Sequence, residues 1–422
     1  METMAKDLSY YKPLANAAGI GSMLGSGIIV GLAATISVWQ TGLHLTNGQV
    51  GILSGALTFA IAFGSLFGAR LAESIGLTKV FNSINLMYAI GAGIAMFAPN
   101  YTVLLVGIII AGVASGTDLP ISLTVISRDT PDSDMTAKLV SSTQIYWQAG
   151  IFISYICSFL VSKMAGATGA RIVFAILTVF AIITWLWRSF SGRFRGLHEE
   201  AAERIASEKD NNESTVKVSV TSVLFGKSKG KFLSFFFAIL IFYIGWNLLA
   251  NTWGQFQTFM MVKADASQSL ATGAGIVLNI IAFVVSMIFS SIAGGKHRNT
   301  GFVIGSIIMF LAMIGLTLGG GNLVAIILAI GFYNLGSPMA GEALYKVWTQ
   351  ESFPIEVRSS IQGIINGTSR VCCALFAFIT PALVMPNTIK LTMWCFAGVV
   401  AISFIAGLIM VNLQKKYGRA ED

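Results

Sequence analysis

The stretch from Thr102 to Pro120, TVLLVGIIIAGVASGTDLP, decides the fold: an unbroken run of apolar and small residues meets an aspartate, Asp118, and then a proline. A helix needs about 20 such residues to cross roughly 30 Å of hydrocarbon. A carboxylate inside that layer costs upward of about 2.5 kcal/mol, so it persists where it faces a partner, a water-filled passage or a moving ion. Outward from this segment the pattern repeats. Apolar stretches start near Ala15, Gln49, Val80, Thr102, Leu139 and Arg171, and again near Lys231, Leu270, Thr300, Asn322, Ile361 and Leu391, twelve in all. The expected fold is an all-α membrane protein with twelve transmembrane helices in two six-helix pseudo-symmetric bundles, residues 1–187 and 231–422. A polar linker, residues 188–230, joins them, and within it His198 to Lys209 is expected to form a surface helix.

Composition excludes most other classes. At 55% hydrophobic and 11% charged residues over 422 positions, a soluble domain would precipitate. The first apolar stretch lacks a small-residue cleavage site and is followed by many like it, which argues against a removable signal peptide. Basic residues fall in alternate connectors: Lys6 and Lys12, Lys79, Lys138, Arg188 to Lys231, Lys296 to Arg298, Arg358, and Lys415 to Arg419. The positive-inside rule then places both termini in the cytoplasm of a multi-pass cell (inner) membrane protein. No basic stripe with interleaved aromatics points to nucleic acid. Cys157, Cys372, Cys373 and Cys395 lie in apolar runs and His44, His198 and His297 are scattered, so no metal, no cofactor and no enzyme chemistry is expected.

Besides Asp118, three ionisable residues lie inside apolar segments: Glu342, Lys346 and Arg370. Counting along the helix from the nearest loop charge, Asp118, Glu342 and Arg370 lie at midplane depth, whereas Lys346 is only about 7 Å in and has the option of extending to the interface. Glu342 and Lys346 are one turn apart and able to pair. The four charges sum to zero, which suits a neutral polyhydroxylated solute carried with one proton; an anion would require Arg370 to be released from Glu342. Asn334, Gly336 and Pro338 mark a break in the tenth segment. The halves also echo each other, with Ser141-Ser142-Thr143-Gln144 and Ser359-Ser360-Ile361-Gln362 opening the fifth and eleventh segments after Pro131 and Pro354. Such repeats place a binding site near the midplane and work by rocking around it.

Two loops carry a family resemblance. Arg70-Leu71-Ala72-Glu73-Ser74-Ile75-Gly76-Leu77-Thr78-Lys79 resembles the acidic, glycine, basic loop of the major facilitator superfamily, and Glu351-Ser352-Phe353-Pro354-Ile355-Glu356-Val357-Arg358 resembles the Glu-x-x-Pro-x-x-x-Arg loop of its sugar-porter branch. The resemblance implies gating roles for Glu73, Glu351 and Arg358; the first-half counterpart has Arg128 where the acid should be and Met135 where the arginine should be. It also implies substrate binding by Gln144, by Asn247 in Gly245-Trp246-Asn247, and by an aromatic such as Trp253, with Asn251 one turn beyond Asn247 substituting for the amides lost at Ile241 and Phe242. The alignment puts Glu342, Lys346 and Arg370 on the passage side, making Glu342 the leading proton-coupling residue, Asp118 the second, and Arg370 the counter-ion or a substrate ligand. The first-helix acid of proton-coupled sugar porters has no equivalent, and its fourth-helix arginine falls on Ile108.

The expectation is therefore a secondary active transporter, monomeric among membrane lipids, that imports a sugar or polyol with protons by alternating access. A carrier of a sugar acid or other organic anion, a multidrug or metabolite exporter, and a membrane nutrient sensor stand as alternatives.

Overall fold

The computed structural model describes residues 7–131, 133–211, 220–226, 229–292 and 297–418. Among them no strand occurs. The helices run α1 (Leu8–Gly42), α2 (Asn47–Ile75), α3 (Leu77–Met96), α4 (Tyr101–Asp129), α5 (Ser133–Leu160), α6 (Thr168–Phe190) and α7 (Gly192–Asn211). They continue as α8 (Val220–Phe225), α9 (Lys229–Lys263), α10 (Gln268–Ile292), α11 (Arg298–Gly319), α12 (Leu323–Gly336), α13 (Glu342–Ser352), α14 (Ile355–Ala377), α15 (Thr380–Leu383) and α16 (Ile389–Tyr417). Twelve apolar segments are thereby accounted for, with α12 and α13 forming the two halves of the tenth.

The chain forms two compact units, Met1–Leu45 with Ala56–Thr215, and Thr46–Gly55 with Val216–Asp422. Their internal neighbour order is the same. In the first, α1 packs on α4, α5 and α6 while α3 packs on α4 and α6; in the second, α9 packs on α12, α14 and α16 while α11 packs on α12 and α16. Small residues permit these approaches. A Cβ on Gly107 would lie 2.6 Å from the Ala95 backbone nitrogen across the α3–α4 crossing, and one on Gly305 would lie 2.7 Å from the Gly336 carbonyl oxygen across α11–α12. The Gly76 turn between α2 and α3 has φ +102°, a conformation that glycine adopts without steric cost.

The polar segment after α6 is not a free connector throughout. Its helix α7 docks onto the end of α4, where His198 Nδ1 lies 2.5 Å from Asp129 Oδ2 and Arg204 donates to the Arg128 carbonyl. Arg128 in turn donates through Nε to Asp129 Oδ1 at 2.7 Å and through Nη1 to Thr78 Oγ1 at 3.1 Å. The acid missing at Arg128 is thus supplied by the next residue along, and the pair is shared with α7.

Candidate functional site

Arg188 is the largest departure from the sequence expectation. Its charge ends an apolar run, so it reads as the first linker residue, yet in the last turn of α6 it is 1% exposed. Nη1 donates to Asp118 Oδ1 at 2.5 Å and to the Phe81 carbonyl at 3.2 Å; Nη2 donates to the Ala17 carbonyl at 2.8 Å and to Asp118 Oδ2 and Ser122 Oγ at 3.3 Å. Nε also reaches the Ala17 carbonyl, at 3.3 Å, and the guanidinium lies 4.2 Å from the Phe81 ring centroid. Asp118, itself 3% exposed, accepts a further bond from Ser122 Oγ at 3.0 Å. Gly21 of α1 closes the group, since a Cβ there would strike the Asp118 carboxylate. Asp118 is thus enclosed in an ion pair within the first unit.

The second unit carries its charges differently. Where Gly336 ends α12 and Glu342 begins α13, the tenth segment is broken as Pro338 and its neighbours lead one to expect. Trp246 of α9 pins the break, its Nε1 donating to Ser337 O at 3.1 Å and Ser337 Oγ at 3.0 Å, and its ring fills the space that a Cβ on Gly341 would need. Glu342 therefore stands in the first turn of a half-helix, where the backbone N–H groups favour an anion. Lys346 Nζ lies 2.8 Å from Glu342 Oε1, and the two side chains are 45% and 52% exposed respectively. The Glu342–Lys346 pair that the one-turn spacing allows is thus formed, and no ion pair joins Arg370 to Glu342.

Arg370, on α14, is half-buried and makes neither an ion pair nor a hydrogen bond with any described residue, although its charge acts on the nearby Glu342, Lys346, Tyr243 and Tyr345. Those two buried tyrosines stack with centroids 3.9 Å apart, and Tyr345 Oη donates to the Gln362 carbonyl at 3.1 Å. Neither was legible as part of this face, because an aromatic in an apolar run has no signature of its own. Asn247 joins α9 to α14 by donating to Ser369 Oγ at 2.9 Å, which leaves its carbonyl oxygen without a described donor. Asn251 accepts from Gln255 at 2.8 Å, so its amide nitrogen is the uncommitted end.

Trp253 is 2% exposed against Tyr333 and Phe396, which withdraws its ring from stacking on a solute in this conformation. Glu351 is gripped by a cation from α11: Arg298 donates to both carboxylate oxygens at 2.8 and 3.0 Å, and Gln414 of α16 donates to Oε2 at 3.0 Å. Arg298 reads in sequence as one more loop charge, yet it is 3% exposed. The side chains of Gln144, Glu73 and Arg358 lie outside the described residues.

Comparison with known proteins agrees with this architecture. The chain is 29% identical over 411 residues, 93% of its length and 89% of the relative's, to the minor myo-inositol transporter IolF of Bacillus subtilis (strain 168). Over 36% of the chain and 29% of the relative it is 28% identical to the probable polyol transporter 4 of Arabidopsis thaliana. The crystal structure of a D-xylose-proton symporter superimposes with TM-score 0.77 at 16% identity, covering 95% of this chain and 97% of that one. The family model described as Major Facilitator Superfamily matches residues 16–377. The chain belongs to the Major Facilitator Superfamily and is a membrane transporter rather than an enzyme.

Proposed function

We propose that this protein imports a sugar or polyol together with protons by alternating access, with Glu342 as the proton carrier. The observation that carries the reading is the Glu342–Lys346 pair, half-exposed at the start of a broken half-helix in the tenth segment. Discontinuous helices place binding groups at the depth where solute and coupling ion meet. Protonation of Glu342 removes the ion pair and frees Lys346, so the proton and the arrangement of α13 are linked. The free carbonyl of Asn247 and amide of Asn251 are suited to solute hydroxyls, with Gln144 the corresponding candidate in the first unit. The full-length relationship to a protein named as a myo-inositol transporter, and the partial one to a polyol transporter, favour an uncharged polyol.

The first unit, with α7 docked on it, and the second act in this reading as the rocking bodies, joined by the cytoplasmic stretch that follows α7, in a monomer held by the lipids of the cell membrane with both termini cytoplasmic. Asp118 serves as structural cement, not as a coupling group. In vesicles reconstituted with the protein, an inside-alkaline gradient of one pH unit is expected to drive labelled myo-inositol toward about tenfold accumulation for one proton per solute, since each 1.4 kcal/mol corresponds to a factor of ten. Uptake of myo-inositol, xylose and glucose that never exceeds equilibration under that gradient would reject coupling.

Glu351 is assigned to the gate through Arg298, Gln414 and Arg358, with Glu73 its first-half counterpart. A bidentate, charge-assisted contact suits an interface that alternates between two arrangements. Glu351→Gln is expected to lower the maximal uptake rate about tenfold or more, in keeping with a contact of about 1.5–3 kcal/mol, with a smaller change in KM. Initial-rate measurements that show KM rising at constant maximal rate would place Glu351 in solute binding instead.

A further inference from the structure

The charge balance that favours a strictly neutral solute does not survive folding. Asp118, counted with the passage charges in sequence, is cancelled inside the first unit by Arg188. On the second unit Glu342 is cancelled by Lys346, one turn along the same helix. Arg370 is what remains: a half-buried guanidinium in a membrane segment, with no ion pair or hydrogen bond to any described residue. An anion needs Arg370 not to be paired with Glu342, and although the two charges act on each other, no ion pair or hydrogen bond joins them.

We infer that the face formed by α9, α13 and α14 also takes monocarboxylated sugars, with the carboxylate held by Arg370 and the hydroxyls by Asn247 and Asn251. This deepens the proposed sugar or polyol transport and rests on it. An uncompensated cation in a membrane segment is costly, and a solute that supplies the missing charge recovers that cost. The planar guanidinium offers two parallel N–H donors that match the two oxygens of a carboxylate, whereas a hydroxyl engages only one of them. Lys346 adds to the attraction once Glu342 is protonated, because the same patch then carries two positive charges and no negative one. Tyr243 and Tyr345, buried and bonded to α14, hold the helices in register behind the cation.

D-Glucose and D-glucuronate differ only in whether carbon 6 is a hydroxymethyl group or a carboxylate, and so isolate the group in question. In reconstituted vesicles at neutral pH, D-glucuronate is expected to compete with labelled myo-inositol at least tenfold better than D-glucose, and labelled D-glucuronate is expected to be taken up. Arg370→Gln should reduce that preference at least tenfold, and Arg370→Lys, which keeps the charge without the fork, should retain part of it. Myo-inositol uptake with no advantage for glucuronate overturns this inference and leaves the polyol reading standing. Glucuronate uptake without myo-inositol uptake supports the inference and removes the neutral solute, while transport of neither rejects both. Proportional loss of the two activities in both Arg370 variants, with the preference unchanged, overturns the assignment of the carboxylate to Arg370.

Discussion

Arg188→Leu is expected to destabilise the first unit by about 3–5 kcal/mol, the cost of leaving one member of a buried ion pair without its partner. Asp118, 3% exposed, would keep Ser122 as a donor but have no cation beside it, and the Ala17 and Phe81 carbonyls would lose the donor they share. The double variant Asp118→Leu with Arg188→Leu removes both charges and is expected to recover most of the loss, because apolar replacement of a whole buried pair is often close to neutral. Thermal unfolding in detergent, followed by tryptophan fluorescence, measures both. The same proteins decide between a structural and a coupling role. A structural pair predicts that the stable double variant still concentrates solute under a pH gradient. If it folds and equilibrates solute but no longer concentrates it, Asp118 carries protons after all.

Glu342→Gln is expected to have the largest functional effect. The substitution keeps the size of the side chain and removes the ionisable group, so the Glu342–Lys346 ion pair, 2.8 Å long, becomes at most a hydrogen bond. Accumulation of labelled myo-inositol under a gradient of one pH unit should fall from about tenfold to about equilibration. Exchange of labelled for unlabelled solute across the same vesicles should continue, because exchange needs alternation of the loaded carrier without net proton movement. Uphill uptake equal to that of the unmodified protein would remove Glu342 from coupling. Loss of both uptake and exchange would identify it as a solute ligand.

The two predictions concern acids at similar depth in neighbouring kinds of segment, and their opposite roles come from surroundings that lie far away along the chain. Asp118 and Arg188 are separated by 70 positions, and nothing near Arg188 in sequence marks it as different from the charges that follow it. Glu342 and Lys346 were legible as a pair because four positions of one helix fix their proximity. Arg370 was legible as an intramembrane cation but not as a free one, since its freedom depends on Lys346 turning back toward Glu342. Arg298 was hidden among loop charges, and only the packing of α11 beside α13 and α16 brings it to Glu351. The break in the tenth segment was announced by Pro338, whereas the indole that pins it comes from α9.

By itself, the sequence determined the twelve apolar segments, a helix within the polar stretch after α6, the glycine turn at Gly76 and the short list of charges that had to be explained, because length, hydropathy and helical spacing are local properties of a chain in a lipid solvent. The tertiary structure alone decided which of those charges are sealed, which are paired and which is left over. The energy of a charge in a low-dielectric interior depends on what stands within a few ångströms of it, and that is set by helices that meet only after the chain has folded.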